Sequence, residues 1–239
     1  MKILSIGNSF SQDAQRYLHG VAEERGIPVK AINLYIGGCP LSLHHRHLLS
    51  GARAYDLQVN GHSSGFSVSI QEALLSDDFD AVTLQQVSQL APHYDTYQPY
   101  LSVLAEEVRR LCPKATVYMH QVWAYEDASD RLHQAGFATH AQMLAADKEA
   151  CARAAADIGA DIIPCGKTME NLVQAGVPAH RDTFHASLGV GRYALALTFL
   201  GRLTHADVRD SRFDRFDVPV SPQEAEAARC AAAAALALT

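Results

Sequence analysis

The chain has 239 residues, 48% hydrophobic and 19% charged, with a formal net charge of −6. That balance suits a globular protein with a full core, expected as one domain over residues 1–239, since no composition shift marks a second. No Lys/Arg run stands out, so a nucleic-acid groove or an anionic membrane surface would lack its usual electrostatic basis, and small molecules are the expected partners.

The five cysteines, Cys39, Cys112, Cys151, Cys165 and Cys230, are odd in number and have no CxxC spacing. They suggest neither a zinc site nor a disulfide framework, and a reducing compartment follows. The apolar start at residues 3–6 is too short for a signal-peptide core. The longest apolar tract, residues 231–238, falls well short of the roughly 20 residues of a membrane span. A cytoplasmic protein without a transmembrane segment is expected.

In chain order, residues 2–7 read as an apolar strand that ends in the turn Asn8-Ser9-Phe10. Ala14, Tyr17, Leu18, Val21 and Ala22 then recur at helical spacing, and Gly26 ends that helix. Residues 29–36 form a second strand stopped by Gly37-Gly38, followed by a short helix at 41–49. Residues 55–59 and 66–70 alternate apolar and polar around Asn60-Gly61, which predicts a small surface β-ribbon. Residues 80–85 are the third core strand, and Tyr100, Leu101, Leu104, Val108 and Leu111 mark the next helix, closed by Pro113. A fourth strand is expected at 116–123, an Ala-rich helix at 139–158, a fifth strand at 161–164, and helices at 168–174 and 187–204. Ser221-Pro222-Gln223-Glu224 opens a terminal helix over 221–238, with Ser221 as cap and Pro222 in the first turn. Alternating strand and helix predicts a five-stranded parallel sheet in an α/β chain, with helices on both faces.

In such a sheet, reactive groups gather at the carboxyl ends of the strands. Ser9 is placed there, at the start of the first helix, where backbone N–H groups favour negative charge developing on a substrate oxygen. A serine hydroxyl needs a positioned base, usually a histidine oriented by a carboxylate. Asp182 and His185, three residues apart before a helix, supply that pair. No metal or organic cofactor is required.

The segment Ile6-Gly7-Asn8-Ser9-Phe10-Ser11 and the Asp182-x-x-His185 pair resemble the SGNH (GDSL-like) hydrolases, with Asn8 where that family more usually has Asp. Gly37-Gly38-Cys39 is similar to the family's second motif, which implies that the Gly38 N–H serves the oxyanion hole beside that of Ser9. Leu84-Gln85-Gln86-Val87-Ser88 and Trp123-Ala124-Tyr125 resemble a narrower, largely uncharacterised branch. The resemblance runs from residue 3 to about 193 and implies a flavodoxin-like three-layer sandwich and a serine esterase acting on a small ester. Its carbohydrate-active members suggest an acetylated sugar, for which Trp123 and Tyr125 offer an aromatic face. The family's third motif usually provides an asparagine oxyanion donor, absent here. The amide of Gln85 or of Gln86 is the candidate substitute, since both carry the same donor.

Other motifs have plainer readings. Gly61-His62-Ser63-Ser64-Gly65 fits the G-x-S-x-G elbow of α/β-hydrolases, so a lipase-like enzyme using Ser63 is one alternative, although an alternating rather than helical segment follows it. His44-His45-Arg46-His47 lacks a carboxylate-rich partner for a metal, and His45, close after Gly38, is a candidate substrate contact. Ser9 could also be merely a helix cap. A non-catalytic carbohydrate-binding protein on the same fold is the other alternative.

Overall fold

In the computed structural model, which describes residues 1–237, seven strands form one mixed sheet. They are β1 (Lys2–Gly7), β2 (Lys30–Tyr35), β3 (Tyr55–Val59), β4 (His62–Val68), β5 (Ala81–Leu84), β6 (Thr116–His120) and β7 (Asp161–Ile163), in the order β4-β3-β2-β1-β5-β6-β7. The run β2-β1-β5-β6-β7 is parallel throughout. These are the five strands marked by the sequence.

The count of five needs correction, because the Asn60-Gly61 hairpin is not a separate ribbon. β3 pairs antiparallel with β2, Ile32 opposite Val59 and Tyr35 opposite Asp56. Asn60 (φ 51°) and Gly61 (φ 82°) make the two-residue turn that needs left-handed backbone. The Asn60 side chain and backbone N–H bond the two polar groups of Ala31, at 2.9 and 2.7 Å, and so lash the turn to β2. The second arm also stops earlier than expected. Ser69 and Glu72 form a capping box, which starts a helix at Ile70 where a strand was predicted.

Ten α-helices and one 3-10 turn (Tyr94–Thr96) accompany the strands among the described residues: α1 (Ser9–Gln15), α2 (Leu18–Glu24), α3 (Leu41–Ser50), α4 (Ile70–Leu74), α5 (Tyr100–Leu111), α6 (Asp130–Gln134), α7 (His140–Asp157), α8 (Cys165–Gln174), α9 (Val190–Thr204) and α10 (Pro222–Leu236). Leu238 and Thr239, at the end of the expected terminal helix, lie outside the described residues. The single helix expected across Ala14 to Ala22 is broken at Arg16–Tyr17. The hairpin turn fits against this break so closely that a Cβ on Gly61 would stand 2.4 Å from the Arg16 carbonyl. The fourth strand ends at His120, leaving Trp123 in the loop beyond it. No described helix is long and apolar enough to cross a membrane.

Side-chain alternation divides the interior in two. Leu4, Ile6, Ile32, Leu34, Val82 and Leu84 face a core shared with α3, α4, α5 and much of α7. On the opposite face Ile3, Ala31 and Ala81 meet α1, α2, α8, α9 and α10. That second face carries a polar row in register, with Gln58 opposite Asn33, Asn33 opposite Ser5, and Ser5 opposite Thr83. The row is buried and bonds to itself and to α1. Gln15 donates to Ser5 Oγ at 2.6 Å and Ser11 donates to Asn33 Oδ1 at 2.7 Å. Only Gln15 Oε1 in this network lacks a partner among the described residues, and paired buried polar groups fix geometry more tightly than apolar packing does, so the helix that begins at Ser9 has one seating on the sheet.

Candidate active site

β1 runs into α1 with only Asn8 between them, and this junction aims Ser9. A Cβ on Gly7 would lie 2.4 Å from Ser11 Oγ and 2.8 Å from Gln85 Oε1, so only glycine allows the chain to turn there. Asn8 is buried and uses its whole amide. Its Oδ1 accepts from Phe10 N–H (3.0 Å) as the α1 cap and from Gln85 Nε2 (2.9 Å), and its Nδ2 donates to the Cys39 carbonyl (3.2 Å). A carboxylate there would lose the donor to Cys39, which gives a reason for Asn8 in place of Asp.

Asp182 and His185 lie before α9 in an irregular loop that reaches the same sheet edge. His185 Nε2 is 2.9 Å from Ser9 Oγ, and His185 Nδ1 is 2.7 Å from Asp182 Oδ2. Asp182 Oδ1 also accepts the His185 backbone N–H at 2.8 Å, so one carboxylate sets both the position and the tautomer of the imidazole. Nδ1–H donates to Asp182, and Nε2 is left to accept the Ser9 O–H. Partial burial works against the Asp182 charge, but hydrogen bonds from the His185 ring and backbone outweigh it and hold the carboxyl below its ordinary range.

Two backbone donors stand ready near Ser9. Ser9 N–H, at the first position of α1, and Gly38 N–H have no hydrogen-bond partner among the described residues. Gly38 has φ +63°, with open space where a Cβ would be, so the glycine serves backbone conformation rather than fit. The Asn8–Cys39 bond ties the Gly38 turn to the Ser9 turn. Beneath it, buried His44 lies 2.9 Å from Tyr55 Oη and 3.5 Å from Cys39 Sγ. Burial pushes the Cys39 thiol up to about 12 and His44 down to about 3, so both are neutral supports at ordinary pH.

Several expected roles are corrected. Gln85 is not offered to an oxyanion, because it donates to Asn8 and accepts from His120 Nδ1 at 3.0 Å, buried below the turn. Gln86 also points away, its Nε2 donating to the carbonyl and hydroxyl of Thr96 and its Oε1 accepting from Leu41 and Val87 N–H. Trp123 is fully buried and cannot offer a sugar-binding face, and Tyr125 is 1% exposed with its hydroxyl on Ser88 Oγ. His45, a candidate substrate contact, packs against Tyr100 with ring centroids 5.4 Å apart and keeps that candidate role. Ser63 sits inside β4 with its hydroxyl on Asp56 Oδ1 at 2.6 Å, and the strand runs on to Val68 where the elbow requires a helix directly after the serine, so the elbow reading fails.

The sequence reading missed the groups that hold the Asp182–His185 loop. Asp13 of α1 is wholly buried and accepts from Arg181 Nη1 (3.0 Å to each oxygen), Arg192 Nε (2.8 Å) and Ala186 N–H (3.2 Å). Arg181 Nη1 also donates to the Ala186 carbonyl, closing the clamp. Trp123 stacks on Phe10 at 3.9 Å and donates Nε1–H to the Phe184 carbonyl at 2.7 Å. Thr183, between Asp182 and His185, has φ +68°, a strained value for a β-branched residue, and is held there by Glu126 N–H and Ser129 Oγ. Only the RDxxH spacing hinted at any of this, through Arg181.

The family described as Domain of unknown function (DUF4886) matches residues 2–235. The chain belongs to the DUF4886 family. A crystal structure of a DUF4886 family protein from Bacteroides uniformis superposes with a TM-score of 0.93 at 32% identity, covering 99% of this chain and 95% of that one. A protein assigned to the SGNH hydrolases, from Slackia heliotrinireducens, matches with a TM-score of 0.60 at 26% identity, over 83% of this chain and 96% of its own. A catalytic mutant of an acetylxylan esterase from Geobacillus stearothermophilus shares the fold at a TM-score of 0.57 and 15% identity, over 85% of this chain and 94% of its own. No match was found among the curated proteins. This DUF4886 chain therefore resembles SGNH hydrolases in structure.

Proposed function

We propose that this DUF4886 protein is a serine esterase that hydrolyses small esters through Ser9, His185 and Asp182. The observation that carries the reading is the continuous line of hydrogen bonds from Asp182 through both nitrogens of His185 to Ser9 Oγ, at 2.7 and 2.9 Å. His185 takes the Ser9 proton as Oγ bonds to the acyl carbon, then returns it to the departing alcohol oxygen, leaving an acyl-enzyme. Water, deprotonated by the same imidazole, attacks that acyl carbon and frees the acid and Ser9. Ser9 N–H and Gly38 N–H hold the oxygen that becomes negative in both halves.

The substrate class proposed is an acetyl ester of a carbohydrate, in keeping with the fold shared with the acetylxylan esterase. With Trp123 buried, any sugar-binding surface must come from the loops above the sheet. A fluorophosphonate probe followed by peptide mapping tests the mechanism. Label is expected on Ser9 alone, and His185→Ala should slow labelling by roughly 10³-fold or more. Labelling at another serine, or none at all in folded protein, would falsify the esterase reading. Acetylated xylo-oligosaccharides compared with phenyl acetate test the substrate class.

A further inference from the structure

A cavity of about 340 Å³ opens between the loop that follows β5 and the segment carrying α6. It lies close to the triad. The Arg131 guanidinium on its wall rests 4.3 Å from the centre of the Phe184 ring, and that ring is 3.9 Å from the ring of His185. Tyr125, another lining residue, meets the same phenyl edge-on at 5.6 Å. One aromatic ring thus links the cavity to the imidazole that faces Ser9.

Every polar side chain of the lining can donate a hydrogen bond, and Arg131 is its one fixed charge. Arg131, Gln89, Gln134 and His93 contribute, and no Asp or Glu is among the lining residues. Among the described residues none of these four side chains has a hydrogen-bond or ion-pair partner. Of the acids nearby in sequence, exposed Asp130, next to Arg131 in the chain, is outside the lining, and two others are engaged elsewhere. Asp127 accepts the His140 backbone N–H, and Glu126 lies 3.2 Å from His180 Nδ1. Arg131, Gln89, Gln134 and His93 are all exposed and solvated, so an incoming carboxylate exchanges water for the Arg131 fork, which it can meet bidentately, and has no protein carboxylate to displace.

We propose that this cavity binds a carboxylate carried by the substrate, with Arg131 as the specificity-determining residue, so that the ester cleaved at Ser9 is an acidic one. This rests on the esterase reading but is tested separately from it. Binding is measured by calorimetry with 3-acetamidobenzoate, an amide that resists cleavage. Kinetics compare phenyl acetate with 3-acetoxybenzoate, whose carboxylate is on the alcohol side, and with monophenyl succinate, whose carboxylate is on the acyl side. Arg131→Gln is expected to weaken 3-acetamidobenzoate at least tenfold. It should also cut the ratio of kcat/KM for the preferred acidic ester over phenyl acetate at least tenfold, through KM, and Arg131→Lys should restore part of both. The side carrying the preferred carboxylate identifies which half of the ester enters the cavity. Equal binding by wild type and Arg131→Gln, or no binding at millimolar concentration, overturns the proposal even if phenyl acetate is cleaved at Ser9. Conversely, Arg131-dependent binding without Ser9-dependent hydrolysis keeps the anion site and removes the esterase reading.

Discussion

The two halves of the candidate triad are held in different ways. Ser9 follows directly from a strand into a helix, over a floor of buried side chains that are bonded in register across the sheet. Asp182 and His185 belong to a loop without regular structure, strained at Thr183 and kept in place by partners far away in sequence. The proposed nucleophile is positioned by the fold, whereas the proposed base is positioned by a few specific contacts. Damage to the loop should therefore reach activity sooner than stability, and damage to the floor should reach both.

The largest effect is expected from Asp182→Asn. Its side chain is 43% exposed, so the unfolding midpoint should barely move. The amide cannot orient the neutral imidazole as the carboxylate does, and kcat should fall by roughly 10³-fold or more. A loss below tenfold would mean that the loop does not depend on this carboxylate. Asp13→Asn comes next and breaks the loop from beneath, because it leaves the Arg181 and Arg192 guanidinium groups facing an uncharged amide in a buried site. Removing one partner of a buried ionic cluster costs about 3–5 kcal/mol. Urea unfolding should show that loss, and fluorophosphonate labelling of Ser9 should slow at urea-free conditions where the protein stays folded. A variant with wild-type stability would show that the clamp is dispensable.

How much of this was legible in the sequence follows the same division. The five parallel strands, the long helices and the Ser9 turn are written locally, as apolar periodicity and as Gly-bearing turns, and they are where the sequence placed them. The hairpin was legible as a hairpin but not as part of the main sheet, since its tie to β2 is made by Asn60 reaching Ala31. Gln85 and Gln86 were read by strand alternation as one facing the site. Neither does, because the strand ends at Leu84 and both amides are taken by neighbours that only the fold supplies. Nothing in the sequence singles out Asp13, and Trp123 reads there as an aromatic face for a sugar. Their functions depend on Arg181, Arg192 and Phe184, whose arrival no local pattern announces.

Asn8→Asp probes the floor with the residue more usual in the resembling family. The change places a charge at a 1% exposed position and replaces the donor to Cys39 with an acceptor facing a carbonyl. A loss of about 1–3 kcal/mol is expected, as for a buried polar group deprived of its partner, together with reduced kcat because the Gly38 turn loses its tie. Wild-type stability and rate would show that the Cys39 bond does not set the proposed oxyanion donors.

Acid should affect both regions. Burial lowers His120, in the floor, to about 3, and His180, in the loop, to about 4, each from an ordinary value of 6.5. Below pH 6.5 the unfolded chain takes up protons that the folded protein refuses, so stability falls as pH drops from 6.5 towards 4. It falls by at most about 1.4 kcal/mol per pH unit for each such histidine. In the folded protein His180 should take its proton before His120 as pH falls, so the loop gives way first. Imidazole NMR titration checks the order, and His120 protonating first would reverse the comparison.

Trp123→Phe is expected to have the smallest effect and to discriminate best between the two regions, since Trp123 touches both. The phenyl ring can keep the stack on Phe10, at the start of the helix that carries Ser9, but it cannot donate to the Phe184 carbonyl beside His185. The lost bond is worth about 1 kcal/mol, with the Phe184 carbonyl left to find water. If the proposed base is positioned by a few contacts, that loss should appear in kcat, by several-fold, while the unfolding midpoint falls by one hydrogen bond and the small cavity left beside the phenyl ring. A shift in stability without a change in kcat would place Trp123 with the floor, and would leave the loop held against Ser9 by Asp13 and by the Glu126 and Ser129 contacts at Thr183.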